Sequence, residues 1–187
     1  MAPDARIIVT GQVDEPRAGV RACLARGHAG IATADAGEDG RFELSASGPA
    51  GPLLLLVLAE GRDAVRRRLA VEQPESAVDV GRLELVPVEF PAGVHGILWD
   101  EDAQAPIPGG AVTLSAGDRA VAGPVRADPD GAFTIRMSCD RPLPPGDYLL
   151  DAVAPGFAAT VRSVRIALEP SVTAVGRIDL DPLPRND

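Results

Sequence analysis

PLPPGDYLLDAVAPGF, residues 142–157, is the stretch that decides the fold. Two prolines and a glycine precede a run that alternates. Tyr148, Leu150, Ala152 and Ala154 fall on one side, and Asp147, Leu149, Asp151 and Val153 on the other. A period of two marks a strand with one face buried. Pro144 and Pro145 restrict the entry, Gly146 permits the bend, and Pro155-Gly156 closes the run. The stretch therefore predicts a strand with a fixed start, stop and register.

The same grammar extends outward. In the first half, IIVTGQV (7–13), GVRACLARG (19–27), DAGEDGRFELSA (35–46), GPLLLLVLAEG (51–61), DAVRRRLAV (63–71) and AVDVGRLEL (77–85) read as strands with their turns. In GVRACLARG, Val20, Ala22 and Leu24 oppose Arg21, Cys23 and Ala25, whereas GPLLLLVL is apolar throughout. The second half repeats the order with GVHGILWD (93–100), IPGGAVTLSAG (107–117), RADPDGAFTIRM (126–137), GDYLLDAVAPG (146–156), ATVRSVRIAL (159–168) and AVGRIDL (174–180). DGRF at 39–42 recurs as DGAF at 130–133, a shift of 91; AEG at 59–61 recurs as APG at 154–156, and VGRLEL at 80–85 as VGRIDL at 175–180, both shifts of 95. Near-equal shifts at three landmarks indicate an internal repeat, with the extra residues of the second copy in CDRPLPPG (139–146).

The best helix candidate is RDAVRRRLAV, but its counterpart ATVRSVRIAL alternates, so both read as strands. About seven short strands per half, with turn signals every 8–12 residues, is the pattern of a β-sandwich. The expectation is an all-β chain of two tandem modules, 1–88 and 89–187, joined near VPVEFPAG (86–93).

Composition narrows the function. The 187 residues carry a formal net charge of −9, shared as −4 and −5 between residues 1–90 and 91–187. That disfavours sequence-independent nucleic-acid binding, which depends on neutralising phosphates. There is no lysine, so no Schiff base or Walker-type phosphate lysine is available. Cys23 and Cys139 lie one in each half; both read as small apolar side chains, and a bridge inside one domain is excluded if the halves are separate domains. The opening MAPDARIIVTG lacks a basic region followed by an apolar run, and the longest apolar run, Pro52–Ala59, is too short for a membrane-spanning helix. Cytoplasmic residence is the default expectation.

The pieces Gly96, Ile107 to Leu114, Asp128 to Ile135 and Pro145 to Phe157 together resemble the carboxypeptidase regulatory-like domain. This is a seven-stranded Greek-key sandwich of the transthyretin-like, CnaB-like kind. Gly11, Ala18 to Leu24, Asp39 to Leu44 and Ala59 to Gly61 carry a weaker version of the resemblance in the first half. It implies a fold, and an accessory, adhesive or assembly role with no shared catalytic site. Relatives that do chemistry are disfavoured residue by residue. Hydroxyisourate hydrolysis needs several histidines and a C-terminal Tyr-Arg-Gly-Ser, but the chain has His28 and His95 and ends DPLPRND. Intradiol dioxygenases need two tyrosines, and Tyr148 is single; isopeptide cross-linking needs a lysine.

Few residues then remain as candidates. Arg66, Arg67 and Arg68 form the one basic patch, read either as solvated edge protection or as a docking surface for an acidic partner. As a strand residue, Arg67 shares a face with Val65 and Leu69, which fits only an edge. Trp99, with Asp100 and Asp102 beside it, is the candidate for a sugar, and Asp100, Glu101 and Asp102 with Asp128 and Asp130 are the candidates for calcium; DPDG also explains itself as a turn. His28 and His95 are too few for a metal site. Phe133, Tyr148 and Phe157 read as core, and Phe90 as a linker residue. No catalytic residue, metal or cofactor is called for. The expected partner is another protein or a second copy, with a glycan or calcium as the alternative ligand.

Overall fold

The computed structural model describes residues 5–14, 19–71 and 76–184. Ala18, the start of one matching segment, and the last residues of DPLPRND lie outside that range. The described residues form fifteen strands and no helix. They divide into two compact units: unit 1 comprises Met1–Ala92, Met137–Pro144 and Leu168–Ser171, and unit 2 comprises Gly93–Arg136, Pro145–Ala167 and Val172–Asp187.

Unit 1 contains β1 (Ala5–Val13), β2 (Arg21–Arg26), β3 (Ala29–Asp35), β4 (Arg41–Gly48), β5 (Gly51–Leu58), β6 (Val65–Val71) and β7 (Ser76–Leu83). They form two sheets, ordered β4-β1-β7 and β3-β2-β5-β6. Pairing is antiparallel except for β1 with β7, which is parallel. Alternate residues of both sheets, among them Ile7, Val9, Leu24, Phe42, Leu44, Leu55, Val57, Leu69 and Leu83, close on one core.

Unit 2 contains β8 (Gly93–Asp100), β9 (Ala105–Pro106), β10 (Ala111–Ala116), β11 (Arg119–Arg126), β12 (Ala132–Arg136), β13 (Gly146–Val153), β14 (Thr160–Ile166) and β15 (Val172–Asp179). Its sheets are β12-β8-β15, with β9 added on β8, and β11-β10-β13-β14. The parallel pair is again first with last, β8 with β15. Setting β9 aside, the strand order of unit 1 recurs strand for strand. The stretch 142–157 behaves as its pattern predicts: Tyr148, Leu150 and Ala152 are buried, Leu149 and Val153 exposed, and Phe157 N–H closes the turn on the Ala154 carbonyl at 3.1 Å. Phe133 is buried with Tyr148, whereas Phe157 is half-buried and Phe90 exposed.

The repeated landmarks meet in space within each unit. Gly11 pairs with Phe42, and a Cβ on Gly11 would lie 2.6 Å from both the Phe42 ring and Val80. Gly96 pairs with Phe133, and a Cβ there would lie 2.6 Å from Val175 and 2.9 Å from the Phe133 ring. In both, the register of the parallel pair shifts opposite that glycine, at Val80-Gly81 and Val175-Gly176. Gly81 and Gly176 take φ of 70° and 67°, the left-handed region glycine enters without penalty. DGxF and VGR are thus two parts of one device, a ring seated on a bare glycine beside a β-bulge.

Strand β5 departs from alternation because both of its faces are covered. Leu53, Leu55 and Val57 enter the core, and Leu54 and Leu56 are buried on the other side. The stretches 137–144 and 168–171 belong to the same unit. The first is fastened over that side by a disulfide from Cys23 to Cys139, Cα atoms 5.7 Å apart, and the second by hydrogen bonds to Asp63, Ala64 and Arg66. The bridge corrects the expectation of two unpaired apolar cysteines: one from each half of the sequence, they lie inside one compact unit.

Candidate functional site

The basic triplet does not form one patch. Strand β6 is an edge strand, as the placement of Arg67 requires. Arg67 reaches past the core edge and its Nη1 donates to the Val80 carbonyl at 2.7 Å. Arg162 on β14 holds the equivalent register and donates to the Arg177 carbonyl at 3.0 Å, so each unit ties the edge of one sheet to the bulged strand of the other. Arg66 is 1% exposed, and its Nη2 donates to the Pro170 carbonyl at 2.7 Å. The reading of Arg66 as a solvated edge charge is corrected: a guanidinium is buried where it finds acceptors, and one here is the carbonyl of residue 170. The same stretch is held by Asp63, which accepts from the Ser171 N–H at 3.1 Å and from its hydroxyl, while Ser171 Oγ accepts from Ala64 N–H at 2.9 Å. Arg68 is exposed.

Trp99 is half-buried near the end of β8. The Arg177 guanidinium lies 4.8 Å from its ring centroid, a cation–π contact. Arg177 Nη2 also pairs with Glu101, and its Nε with Asp179 at 3.1 Å. One face of the indole is therefore occupied by the protein itself, against the stacking a sugar would require. Glu101 stands in the acidic cluster read as a calcium candidate, whereas Arg177 and Asp179 are not conspicuous in the sequence. The available signal was the repeat: Arg177 is the counterpart of Arg82, which pairs with Asp14 at 3.9 Å, and Asp14 and Trp99 stand at the same distance past the repeated glycine.

The acidic loops are turn builders. Asp100 accepts from Ala103 N–H at 3.0 Å. Asp128 accepts from Asp130 N–H and Ala132 N–H, both at 2.9 Å. Asp102 and Asp130 are exposed. Among the described residues, no three of His, Cys, Asp and Glu converge on a point that could hold a metal ion. His28 lies half-buried in the β2–β3 turn and His95 half-buried on β8. On the exposed edge, Arg21 Nε donates to Asp35 at 2.8 Å; that bond and the adjacent positive charge hold the Asp35 carboxyl below its ordinary range. No helix among the described residues is long and apolar enough to cross a membrane.

Comparison with solved structures finds likeness along most of the chain. The shaft pilin SpaA of Lactobacillus rhamnosus GG is 12% identical, with 98% of this chain and 100% of that one covered and a TM-score of 0.40. The Bacillus anthracis TIE protein is 11% identical over 96% of this chain and 34% of its own, TM-score 0.37. The 5-hydroxyisourate hydrolase of Klebsiella pneumoniae is 18% identical over 50% of this chain and 92% of its own, TM-score 0.38. No curated protein matches the chain. Residues 93–180, which take in most of unit 2 and all of its strands, match the model of the carboxypeptidase regulatory-like domain.

Proposed function

We propose that this is a non-enzymatic structural or protein-interaction protein, a spacer or docking platform within a larger assembly. In this reading residues 1–88 and 89–187 are tandem seven-stranded Greek-key sandwiches, the first a divergent copy of the second. The repeated strand order supports the tandem reading.

The observation that carries the docking role is the outer face of β13 and β14. Leu149, Val153 and Val161 stand 40%, 48% and 59% exposed there, while the face at the equivalent register in unit 1 is covered. Exposed apolar groups gathered on one sheet face favour a protein partner or a second copy. Edge strands such as β14 offer strand addition as a further means. Arg67, Arg68, Trp99, Asp100 and Asp102 form the second group of residues to vary. The covering of the Trp99 ring and the turn roles of Asp100 and Asp128 weigh against the sugar and calcium alternatives. The buried disulfide favours an oxidising compartment over the cytoplasmic default.

The test is capture of the tagged protein from its own cells, with mass spectrometry and a light-scattering mass, for the wild type and for Leu149→Asp with Val161→Asp. A stoichiometric partner, or a dimer, that the double variant loses supports the reading. A partner retained by the variant moves the surface elsewhere, and a partnerless monomer overturns the docking role.

A further inference from the structure

The solvent face of the sheet β4-β1-β7 carries a concavity of about 610 Å³, within the ~300–1,000 Å³ range of small-molecule sites. Its polar lining falls into two rows set by the register. Thr10 on β1 lies opposite Glu43 on β4 and Asp79 on β7, and Gln12 lies opposite Arg41 and Arg82. One row across the sheet therefore reads acid, hydroxyl, acid, and the next reads arginine, amide, arginine. The bulge at Val80-Gly81 makes this possible. It inserts a residue between Asp79 and Arg82 and so brings both to the solvent side.

Two lining side chains also serve the local backbone, Asp79 accepting from the bulge Gly81 N–H at 2.9 Å and Gln12 Nε2 donating to the Asp39 carbonyl at 2.9 Å, but the strand pairing does not require the charged rows as a whole. At the equivalent register in unit 2 the rows are Thr134, His95, Ala174 and Ala132, Ile97, Arg177. Three of the four charges of unit 1 are replaced there by neutral side chains on the same scaffold. Two arginines flanking one central strand also repel; among the described residues Arg41 pairs with Asp39 at 3.6 Å and Arg82 with Asp14 at 3.9 Å. Exposed pairs of this kind contribute little to stability.

We propose that this concavity binds a short zwitterionic peptide. Its carboxylate would lie along the Arg41–Gln12–Arg82 row and its ammonium along the Glu43–Thr10–Asp79 row. Residues two apart on a strand are spaced by about 7 Å, and two extended residues span at most about 7 Å, so the length that fits is a dipeptide. Guanidinium forks suit the planar carboxylate, and the two carboxylates with the threonine hydroxyl supply acceptors for an ammonium. The proposal stands apart from the docking reading, which concerns the other unit.

The experiment titrates ¹⁵N-labelled full chain with glycylglycine, N-acetylglycylglycine and glycylglycine amide, following amide shifts. The expected result is saturable movement of residues 10–12, 41–43 and 79–82 with glycylglycine, and affinity about tenfold weaker for each capped form. Arg82→Gln and Asp79→Asn should each weaken glycylglycine by about tenfold while leaving the rest of the spectrum in place. No saturable shift up to about 20 mM overturns the proposal. So does equal binding of a capped form, or binding unchanged in both variants.

Discussion

Strands β5 and β13 occupy the same place in two sheets of the same order, yet one is buried on both faces and the other on one. Register makes Leu54 the counterpart of Leu149, Leu56 of Asp151, Cys23 of Thr113 and Arg66 of Val161. In unit 1 that face is leucine, half-cystine and a sequestered guanidinium, covered by chain from residues 137–144 and 168–171. In unit 2 its counterpart mixes aspartate, serine and arginine with exposed leucine and valine. The lesson is that a sandwich fixes which side chains meet in its core but leaves the outer face of a sheet free. Each copy has spent that freedom differently, one on a fastened cover and one on an open surface.

Removing the fastening should break the contrast most severely. Cys23→Ser with Cys139→Ser opens a cross-link 116 residues apart in sequence. The chain-entropy model puts such a loop at about 5 kcal/mol, against ~2–5 for the loss of native disulfides in small domains. Denaturant unfolding under matched conditions, with and without reductant, would measure it, and the loss should fall on unit 1. A midpoint insensitive to both the variant and the reductant would contradict the stapled cover.

Matched polar substitutions sharpen the same comparison. Leu54→Asp buries a carboxylate among apolar groups and should cost about 3 kcal/mol or more. Leu149→Asp, at the equivalent position, should change stability by no more than about 0.5 kcal/mol. Equal effects in urea titrations would mean the two faces are alike after all.

The shared device should respond alike in both copies. Gly11→Ala and Gly96→Ala each force a methyl group against the packed ring and valine, at about 1–3 kcal/mol. If only one of them is sensitive, the two bulges are not equivalent. Arg67→Ala and Arg162→Ala should each cost about 1 kcal/mol through the lost carbonyl bond.

The smallest effect is a pH dependence in unit 1. Asp35 titrates below its unfolded-state value because Arg21 stabilises the carboxylate. Its contribution is present above the ordinary aspartate pKa of about 3.9 and fades as pH falls through the lowered value. Arg21→Gln should flatten that part of the acid limb and leave neutral pH nearly unchanged. An acid limb identical to wild type would remove Asp35 from the account.

Much of the fold was legible because its causes are local. Period-two patterning, Asp-Gly turns and the fenced run at 142–157 specify strands by side-chain alternation and backbone sterics, both written residue by residue. The repeat was legible for the same reason, since DGxF and VGR recur where a bulge and a bare glycine recur. The continuous apolar run of β5 marked a strand, and the structure added that both of its faces are covered and by what.

The candidate site was less legible. Arg66, Arg67 and Arg68 look alike as a triplet, and only the distant carbonyls of Pro170 and Val80 give two of them separate tasks. Asp100 and Asp128 look like ligands until their turn amides are seen.

By itself, then, the sequence determined an all-β chain, its internal repeat, and the absence of lysine chemistry. Those follow from residue type and spacing alone. Only the tertiary structure decided that Cys23 meets Cys139, that Arg177 covers Trp99, and that Glu43, Thr10 and Asp79 line up beside Arg41, Gln12 and Arg82. The physical reason is that each joins residues far apart in the chain, and nothing local records which strand will lie beside which.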